Sequence, residues 1–145
     1  MKHALLISLA ASKQDPALQS GQRGARKILV TELYPKNETE AADVIWQPGS
    51  DLCPVQVTPD IEVAIFTQHA AQDRHYHKLG TEFYSVIEGR MVIEIEDHPY
   101  TLTAGDMIVV HPGTVHQVKP EGCEFICRVI SANCGGISDK YIEPA

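Results

Sequence analysis

The sequence predicts an all-β domain built as an antiparallel jelly roll or barrel. At least eight short apolar or alternating segments follow one another along the 145 residues, with glycine, proline or aspartate turn signals between them. No stretch has the apolar periodicity of a convincing amphipathic helix. Many short strands separated by turns are typical of antiparallel sandwiches and barrels. A chain of this length supports one domain with its own core and is too short for two comfortable ones.

The strands are assigned in chain order from alternation, β-branched side chains and turn residues. They are residues 27–34, 43–47, 61–69, 75–77, 82–88, 90–96, 107–110 and 124–130. In residues 90–96 (RMVIEIE) the alternation places Met91, Ile93 and Ile95 inward. Residues 97–99 (DHP) are predicted to form the hairpin turn that follows.

The N-terminal part is assigned to an arm rather than to the core. Residues 10–26 are mostly polar and include Pro16 and Gly21, which are typical of a loop. The apolar run before them is expected to form a strand or a helical turn that packs on the domain. The chain is therefore divided into an N-terminal arm at residues 1–26 and a single domain at residues 27–145.

The composition excludes several classes of partner. The formal charge is −7 and the isoelectric point is near 5.4, which argues against nucleic acid or an anionic membrane surface as the main partner. No apolar run approaches the ~20 residues that span a bilayer. The chain has neither a helix-turn-helix pattern nor a basic helix, so a DNA-binding regulatory role is excluded for it. A cytoplasmic protein is expected.

The cysteines predict neither a zinc finger nor a redox motif. They show no Cys-x-x-Cys pair and no zinc-finger spacing, and they are Cys53, Cys123, Cys127 and Cys134. Each is therefore interpreted as a small buried hydrophobic residue. Cys127 is expected to line the barrel, because its strand should do so.

The residues that carry chemistry cluster in the stretch HYHKLGTEFYSVIEG. Residues two apart in a strand point to the same face, so His75 and His77 can direct two imidazoles at one point. Glu82 lies on the next strand, beyond a short turn, and adds a carboxylate. His116 ends the stretch GDMIVVHPGTVH, after a strand and a Pro-Gly turn, and is available as a fourth ligand.

These two stretches resemble the two motifs of the cupin superfamily. The first motif usually reads Gly, five residues, His-x-His, three or four residues, Glu, six residues, Gly, and residues 69–89 match it at His75, His77, Glu82 and Gly89. The second usually reads Gly, five residues, Pro-x-Gly, two residues, His, and residues 105–116 match it at Gly105, Gly113 and His116. The resemblance extends over residues 61–129.

The departures from the two motifs fall outside the ligand positions. His69 stands where the first motif opens with glycine, and His111 stands where the second has its first proline. Pro120 stands where an asparagine often follows the last ligand. The ligands are unaffected, whereas the shape of the barrel mouth near His69 and His111 is not fixed by the resemblance.

The resemblance implies a double-stranded β-helix that holds one divalent transition-metal ion per chain. The implied ligands are His75, His77, Glu82 and His116. Three histidines and one carboxylate suit Fe, Mn, Co, Ni, Cu or Zn, of which iron or manganese is favoured here. Four protein ligands leave one or two positions open on a five- or six-coordinate ion. The alternative is that the histidines line the barrel without an ion, and their number and spacing argue against it.

Tyr84 and His111 are the candidates for proton transfer. Tyr84 shares the face of Glu82, so its hydroxyl can reach a substrate, unless the ring is simply a core aromatic. His111 and His69 can carry protons near neutral pH or can be hydrated histidines at the rim. Arg128 either pairs with a substrate carboxylate inside the barrel or points to solvent, and the second is favoured.

Two classes of function remain open. By resemblance, the leading one is a metal-dependent enzyme acting on a small polar molecule, through dioxygenase or oxidase chemistry or as an enolate-type lyase or isomerase. The other is a non-catalytic module that binds a sugar or carboxylate. A storage role is disfavoured, because such cupins usually lose the ligands and run as two-domain chains. A homodimer is expected, with the arm and residues 27–34 at its interface.

Overall fold

The computed structural model describes residues 5–32, 44–45, 56–133 and 139–143, which form a curled antiparallel sheet and one short helix. The strands are β1 (Leu5–Leu6), β2 (Ala25–Glu32), β3 (Val44–Ile45), β4 (Gln56–Thr67), β5 (His75–His77), β6 (Thr81–Ile95), β7 (His98–Thr103), β8 (Met107–Val110), β9 (His116–Lys119), β10 (Phe125–Ala132) and β11 (Lys140–Ile142). The helix α1 (Leu9–Gln14) is followed by a 3-10 turn (Pro16–Leu18). No helix among these residues is long and apolar enough to cross a membrane. The predicted antiparallel β-fold is confirmed.

The sheet is organised around β6. Over the described residues, nine strands join in the order β11-β5-β9-β6-β10-β4-β2, and β7 and β8 also pair with β6. The first part of β6, residues 81–89, pairs with β8 and β10. The second part, residues 90–95, pairs with β7 and β9. One strand therefore belongs to both walls of the barrel, which is the double-stranded β-helix that the sequence motifs imply.

The bend in β6 lies at Gly89. The sequence predicted two strands separated at this glycine, whereas the structure has one strand of 15 residues that turns there. Its φ is +79°, in the left-handed region that glycine adopts without steric cost. A Cβ atom at this position would overlap the backbone carbonyl of Glu124, which accepts a hydrogen bond from the Arg90 N–H at 3.1 Å. Glycine is therefore required both by the turn and by the close approach of the neighbouring chain.

The main core lies inside the barrel. The inward positions predicted on β6 are confirmed, because Met91 and Ile93 are fully buried and Ile95 packs against them. Cys127 is also fully buried, as predicted. The buried residues of this core are Phe66, Tyr84, Val86, Met91, Ile93, Leu102, Val110, Val118, Phe125, Cys127 and Val129. Because they come from both walls, their burial holds the walls together.

The N-terminal segment covers the outer face of β4. Leu18 packs with Val63 and Ile65 in a second apolar cluster, and Ile7 packs against its edge. Residues 10–26 were predicted to form a loop or arm outside the core, whereas part of this segment is helical and Leu18 belongs to the second apolar cluster. The local sequence looked polar, but a single leucine is enough to anchor the 3-10 turn on a strand whose outward side chains are apolar.

A buried ion pair fixes the same segment to β2. Asp15 is fully buried and accepts hydrogen bonds from Nε and Nη2 of Arg26, both at 2.9 Å. Its Oδ1 also accepts the Ala17 N–H at 3.0 Å and so begins the 3-10 turn. Ser8 begins α1 in the same way, because its Oγ accepts the Ala11 N–H at 3.0 Å. Side chains thus cap the N-terminal ends of both short elements.

Two other predicted elements differ in their bounds. The hairpin turn lies at Glu96 and Asp97, with φ of +48° and +66°, and His98 already belongs to β7. Of the predicted strand at residues 43–47, the structure describes Val44–Ile45, which pairs in parallel with β1. The single tryptophan, Trp46, and two of the four cysteines, Cys53 and Cys134, lie outside the described residues.

Replacing Gly89 with alanine is expected to lower the free energy of unfolding by about 3 kcal/mol or more, because left-handed strain and overlap with backbone add together. The matched control is Gly122→Ala, where φ is +70° and nothing lies within 4 Å of the added Cβ. Strain alone should cost that variant about 1–2 kcal/mol. Urea denaturation of both variants measures the difference, and equal losses would show that Glu124 does not constrain the bend.

Candidate metal centre

The structure brings the four candidate ligands together at the junction of three strands. Strand β5 contributes His75 and His77, β6 contributes Glu82, and β9 begins with His116. His75 and His116 are direct partners across the pair β5–β9. One ligand atom from each of the four residues lies within 4.8 Å of all the others. Two residues of β5, one residue of β6 and one residue of β9 therefore face one point.

Each imidazole is oriented by a backbone carbonyl. Nδ1 lies 2.7 Å from the Asp73 oxygen in His75, 3.0 Å from the Asp139 oxygen in His77, and 2.8 Å from the Thr114 oxygen in His116. A carbonyl oxygen only accepts hydrogen bonds, so each Nδ1 carries the proton. When the ring is neutral, each Nε2 therefore has a free lone pair that can bind a metal ion. This is the arrangement in which metal-binding histidines are usually fixed.

The four residues fit a divalent cation. The Nε2 atoms of His77 and His116 both lie 2.8 Å from Oε1 of Glu82. His77 Nε2 is buried, and its approach to the carboxylate lacks the alignment of a hydrogen bond. Two nitrogen lone pairs facing one carboxylate oxygen repel each other unless a proton or a cation lies among them. The cluster therefore has the donor atoms, the spacing and the unsatisfied nitrogen that a bound ion would complete.

The pKa values reflect this crowding. Burial alone would raise the pKa of Glu82, but the hydrogen bond of His116 and the close approach and charges of both His116 and His77 outweigh burial and hold the pKa well below its usual value. Burial alone would lower the pKa of His77, but the Glu82 carboxylate outweighs it and raises the pKa. Burial and the charge of His116 lower the pKa of His75 to about 4, so His75 stays neutral. The Glu82 carboxylate thus favours the protonated form of His77 in the metal-free protein.

Three further side chains, which sequence reasoning missed or only half assigned, support Glu82. The Tyr84 hydroxyl donates to Oε1 at 3.3 Å, and Ser131 Oγ donates to Oε2 at 3.3 Å. Gln72 lies beside them, because its Nε2 donates to the Tyr84 hydroxyl at 3.4 Å and its Oε1 accepts the Val118 N–H at 2.5 Å. Tyr84 had a sequence signal in its shared face with Glu82, whereas Gln72 and Ser131 had none.

Asp139 supports the turn that follows His77. Its carboxylate is 6% exposed and accepts the backbone N–H groups of Lys78, Leu79 and Gly80 at 3.1, 2.8 and 2.9 Å. Burial raises its pKa, but these three hydrogen bonds outweigh burial and lower it. The sequence offered no signal for this residue, because it lies 62 positions beyond His77.

A cavity of about 240 Å³ opens beside the cluster. Its described lining includes three of the ligands, and its other polar residues are Gln72, Ser131, Asp139, Lys27, Glu62 and Lys140. A second cavity of about 190 Å³ shares Ala64, Gln72, Glu82 and Lys140 with the first, and the rest of its wall includes Phe66, Tyr84 and Val129. Since a water molecule takes about 30 Å³, the space suits a molecule of several heavy atoms.

The remaining sequence candidates lie away from the cluster. His111 is exposed and is not among the described residues that line either cavity, so its role in proton transfer stays a prediction. His69 is exposed and lies 3.3 Å from the amide nitrogen of Gln68. Arg128 fits neither predicted alternative. It lies on the outer face of β10 beneath the N-terminal segment, where its Nη2 donates to the Ile7 carbonyl at 3.0 Å.

Fold and site together define a double-stranded β-helix with three histidines and one glutamate facing a common point. The family profile of the cupin domain matches residues 63–133, which include all four candidate ligands. The chain belongs to the cupin superfamily, as the two motifs predicted. No curated protein matches the sequence significantly.

Solved structures of the same fold come from several bacteria. A PAC13 variant from Streptomyces with uridine is 15% identical, has a TM-score of 0.53, and aligns over 86% of this chain and 82% of its own. Another structure of Pac13 describes it as a unique nucleoside dehydratase and has a TM-score of 0.49, with 18% identity over 61% of this chain and 72% of its own. An uncharacterised Klebsiella pneumoniae protein with a double-stranded β-helix domain is 26% identical, has a TM-score of 0.50, and aligns over 61% of this chain and 78% of its own. The first and the third of these similarities agree with the fold described above.

The metal-free and metal-loaded proteins are expected to respond oppositely to pH above 6.5. The raised pKa of His77 means that its protonated form stabilises the metal-free fold below the usual value of 6.5, and this contribution is lost as pH rises through the folded-state pKa. Metal binding needs the neutral imidazole, so stabilisation by excess Zn²⁺ should grow over the same range. Melting curves with and without zinc, from about pH 6 to about pH 8.5, should therefore diverge.

Below pH 6.5, protonation of His75 and Glu82 is expected to destabilise the metal-free protein. His75 has its pKa lowered to about 4, so stability falls as pH drops from 6.5 towards 4. The lowered pKa of Glu82 adds a further loss as pH falls below its usual 4.5. The matched variant His77→Gln should remove the decline above pH 6.5 and should also reduce the loss below pH 4.5, because His77 helps to lower the pKa of Glu82. Parallel melting curves with and without zinc would contradict the expectation.

Proposed function

We propose that the protein is a divalent-metal-dependent enzyme acting on a small polar molecule. The observation that carries the proposal is the geometry of the cluster, in which three Nε2 atoms and a carboxylate face one point while every Nδ1 is held by a carbonyl. The cluster borders a cavity, so a ligand could reach a bound ion. Iron or manganese is favoured, with zinc, nickel, cobalt and copper as alternatives.

The charges around the cavity favour a singly charged anion as substrate. Three neutral imidazoles and one carboxylate would leave a bound divalent ion with one uncompensated positive charge. Lys27 and Lys140 add positive charge to the lining, but Glu62 and Asp73 lie 3.4 and 3.9 Å from their Nζ atoms. A carboxylate or an enolate with a second oxygen donor matches this balance, whereas a doubly charged phosphate ester does not.

The proposed reaction classes are dioxygenase or oxidase chemistry and enolate-type lyase or isomerase chemistry. A divalent ion at the cluster would supply Lewis acidity to substrate oxygen atoms. Tyr84 is the candidate for proton transfer, because its ring borders the second cavity and its hydroxyl donates to Glu82. Burial raises the pKa of Tyr84 well above 10, so the hydroxyl stays protonated near neutral pH and can act as an acid or hydrogen-bond donor.

A second candidate is a non-catalytic module that binds a sugar or carboxylate. It is favoured by the state of the carboxylates that line the first cavity in the described part of the chain. Glu62 lies near Lys27, Glu82 belongs to the cluster, and Asp139 accepts three backbone N–H groups. None of these three is available as an uncommitted general base. Turnover of a small acid distinguishes the enzyme from the module, which would show saturable binding alone.

The first experiment is a metal titration of chelator-treated protein with Mn²⁺, anaerobic Fe²⁺ and Co²⁺, followed by screening the loaded protein against small carboxylic acids and diketones. One ion per chain is expected, and His116→Ala should weaken binding more than about 100-fold, beyond what loss of a supporting residue costs. The control is His98→Ala, because His98 is an exposed histidine on β7 outside the cluster. Both variants should keep the circular dichroism spectrum of the wild type, since the apolar core carries the fold. Failure of the wild type to bind any of these ions, or Zn²⁺, Ni²⁺ or Cu²⁺ titrated in the same way, would refute the proposal.

Tyr84→Phe is expected to keep one ion per chain and to lower kcat about 100-fold, the size of effect typical of a lost general acid. The ring should remain in place, because it packs edge-on against Phe66 with centroids 6.2 Å apart. Metal content and steady-state kinetics of the same preparation give both quantities. An unchanged kcat would remove the hydroxyl from the chemistry and leave Tyr84 as a core aromatic.

A further inference from the structure

We propose that Asp139 is a positioning residue that holds His77 in the orientation of a metal ligand. This inference rests on the proposed metal site and adds to it a residue from a distant part of the chain. Asp139 acts with two different groups, its backbone carbonyl and its carboxylate, and each restrains a different part of the His77 region.

The backbone carbonyl of Asp139 orients the His77 ring. It accepts a hydrogen bond from the Nδ1–H group at 3.0 Å, and this turns Nε2 towards Glu82 and the other two histidines. The carbonyls that orient His75 and His116 belong to residues only two positions before each of them. His77 is therefore the one of these three histidines whose ring orientation depends on a remote segment.

The carboxylate of Asp139 fixes the backbone that leaves His77. Oδ1 accepts the Lys78 N–H, and Oδ2 accepts the N–H groups of Leu79 and Gly80. Three successive donors thus converge on one buried side chain. Without these acceptors, the buried Gly80 N–H would lose its partner at a cost of about 1–3 kcal/mol, whereas the N–H groups of the exposed Lys78 and Leu79 would turn to water and release the turn.

The pairing of β5 explains why this support matters at His77 in particular. On one side, β5 meets β9 only through His75 and His116. On the other side, β11 pairs along the whole of β5, with Lys140 opposite His77. The β11 pairing is reinforced by the Tyr141 ring, which stacks on Tyr76 with centroids 5.4 Å apart. Asp139 stands at the start of β11, so its anchoring determines where this strand lies against His77.

Removing the carboxylate is expected to loosen His77 and weaken metal binding. Asp139→Ala loses all three acceptor bonds, and Asp139→Asn retains one oxygen, so the alanine variant should lose more affinity. Loss of a group that supports a metal ligand typically weakens binding about 10- to 100-fold, and that range is expected for Asp139→Ala. The asparagine variant also keeps the question answerable if the alanine variant folds poorly.

The test is competition titration of wild type and variants with Co²⁺, supported by amide hydrogen exchange of the metal-free proteins. The matched control is Asp106→Ala, because Asp106 Oδ2 also accepts a backbone N–H in a turn, from Thr103 at 2.9 Å, away from the cluster. The control should keep wild-type affinity. The amides of Lys78, Leu79 and Gly80 should exchange more than about tenfold faster in Asp139→Ala than in the wild type.

A double-mutant cycle separates positioning from general structural damage. If Asp139 acts through His77, then Asp139→Ala should change Co²⁺ affinity less than about twofold when His77 is already alanine. An equal loss in both backgrounds, or no loss in the wild-type background, overturns the inference and leaves the metal site intact. Should the wild type bind neither Co²⁺ nor any other of the proposed divalent ions, the proposed function fails. The nitrogen NMR signals of the His77 ring, with the amide exchange rates, then decide by themselves whether Asp139 orients it.

Discussion

The turn of the backbone at Gly89 is the constraint on which the rest of the barrel depends. A strand that passes from one wall to the other must change direction within one residue while Glu124 crosses close to it, and the crossing leaves no room for a side chain. Because of this turn, the first part of β6 can present Glu82 and Tyr84 to the interior of one wall. The second part places Met91 and Ile93 in the same core. The candidate site is thus built on the strand that also joins the walls.

The cluster is an electrostatic compromise that the surrounding backbone enforces. Three carbonyls fix the proton on the outer nitrogen of each ring, so the inner nitrogens face Glu82 whether or not this is favourable. The Glu82 carboxylate accordingly raises the pKa of His77, which favours a proton at the place where a cation would otherwise relieve the repulsion. Both cavities beside Glu82 combine polar and apolar lining, which suits a small molecule with a charged or polar end.

The sequence was informative where the determinants are local. The spacing of His75 and His77 on one strand, the alternation through Met91 and Ile93, and the Pro-Gly turn before His116 are all properties of short segments, and the structure bears out the geometry they predicted. Continuity of β6 through Gly89 could not be predicted, because a glycine at the end of an apolar run also marks a strand end.

The supporting residues could not be predicted either. Gln72, Ser131 and Asp139 reach the site from three segments with no shared pattern, and each looks like an ordinary polar residue of a loop or strand end. Leu18 was missed for the same reason, since its neighbours are polar and its partners Val63 and Ile65 lie on β4. Such contacts depend on how distant segments of the chain meet, and a single sequence carries little information about which distant segments lie together.

The position of β11 has a consequence for the biogenesis of the protein. During translation, His77 leaves the ribosome 62 residues before Asp139, so the nascent chain exposes the paired imidazoles long before the strand that steadies them exists. Pairings between segments so far apart form late in folding, because closing the intervening loop is entropically costly. An ion that met the chain at this stage would find all four candidate ligands, but with His77 not yet oriented by Asp139, and it would exchange more readily than from the finished chain.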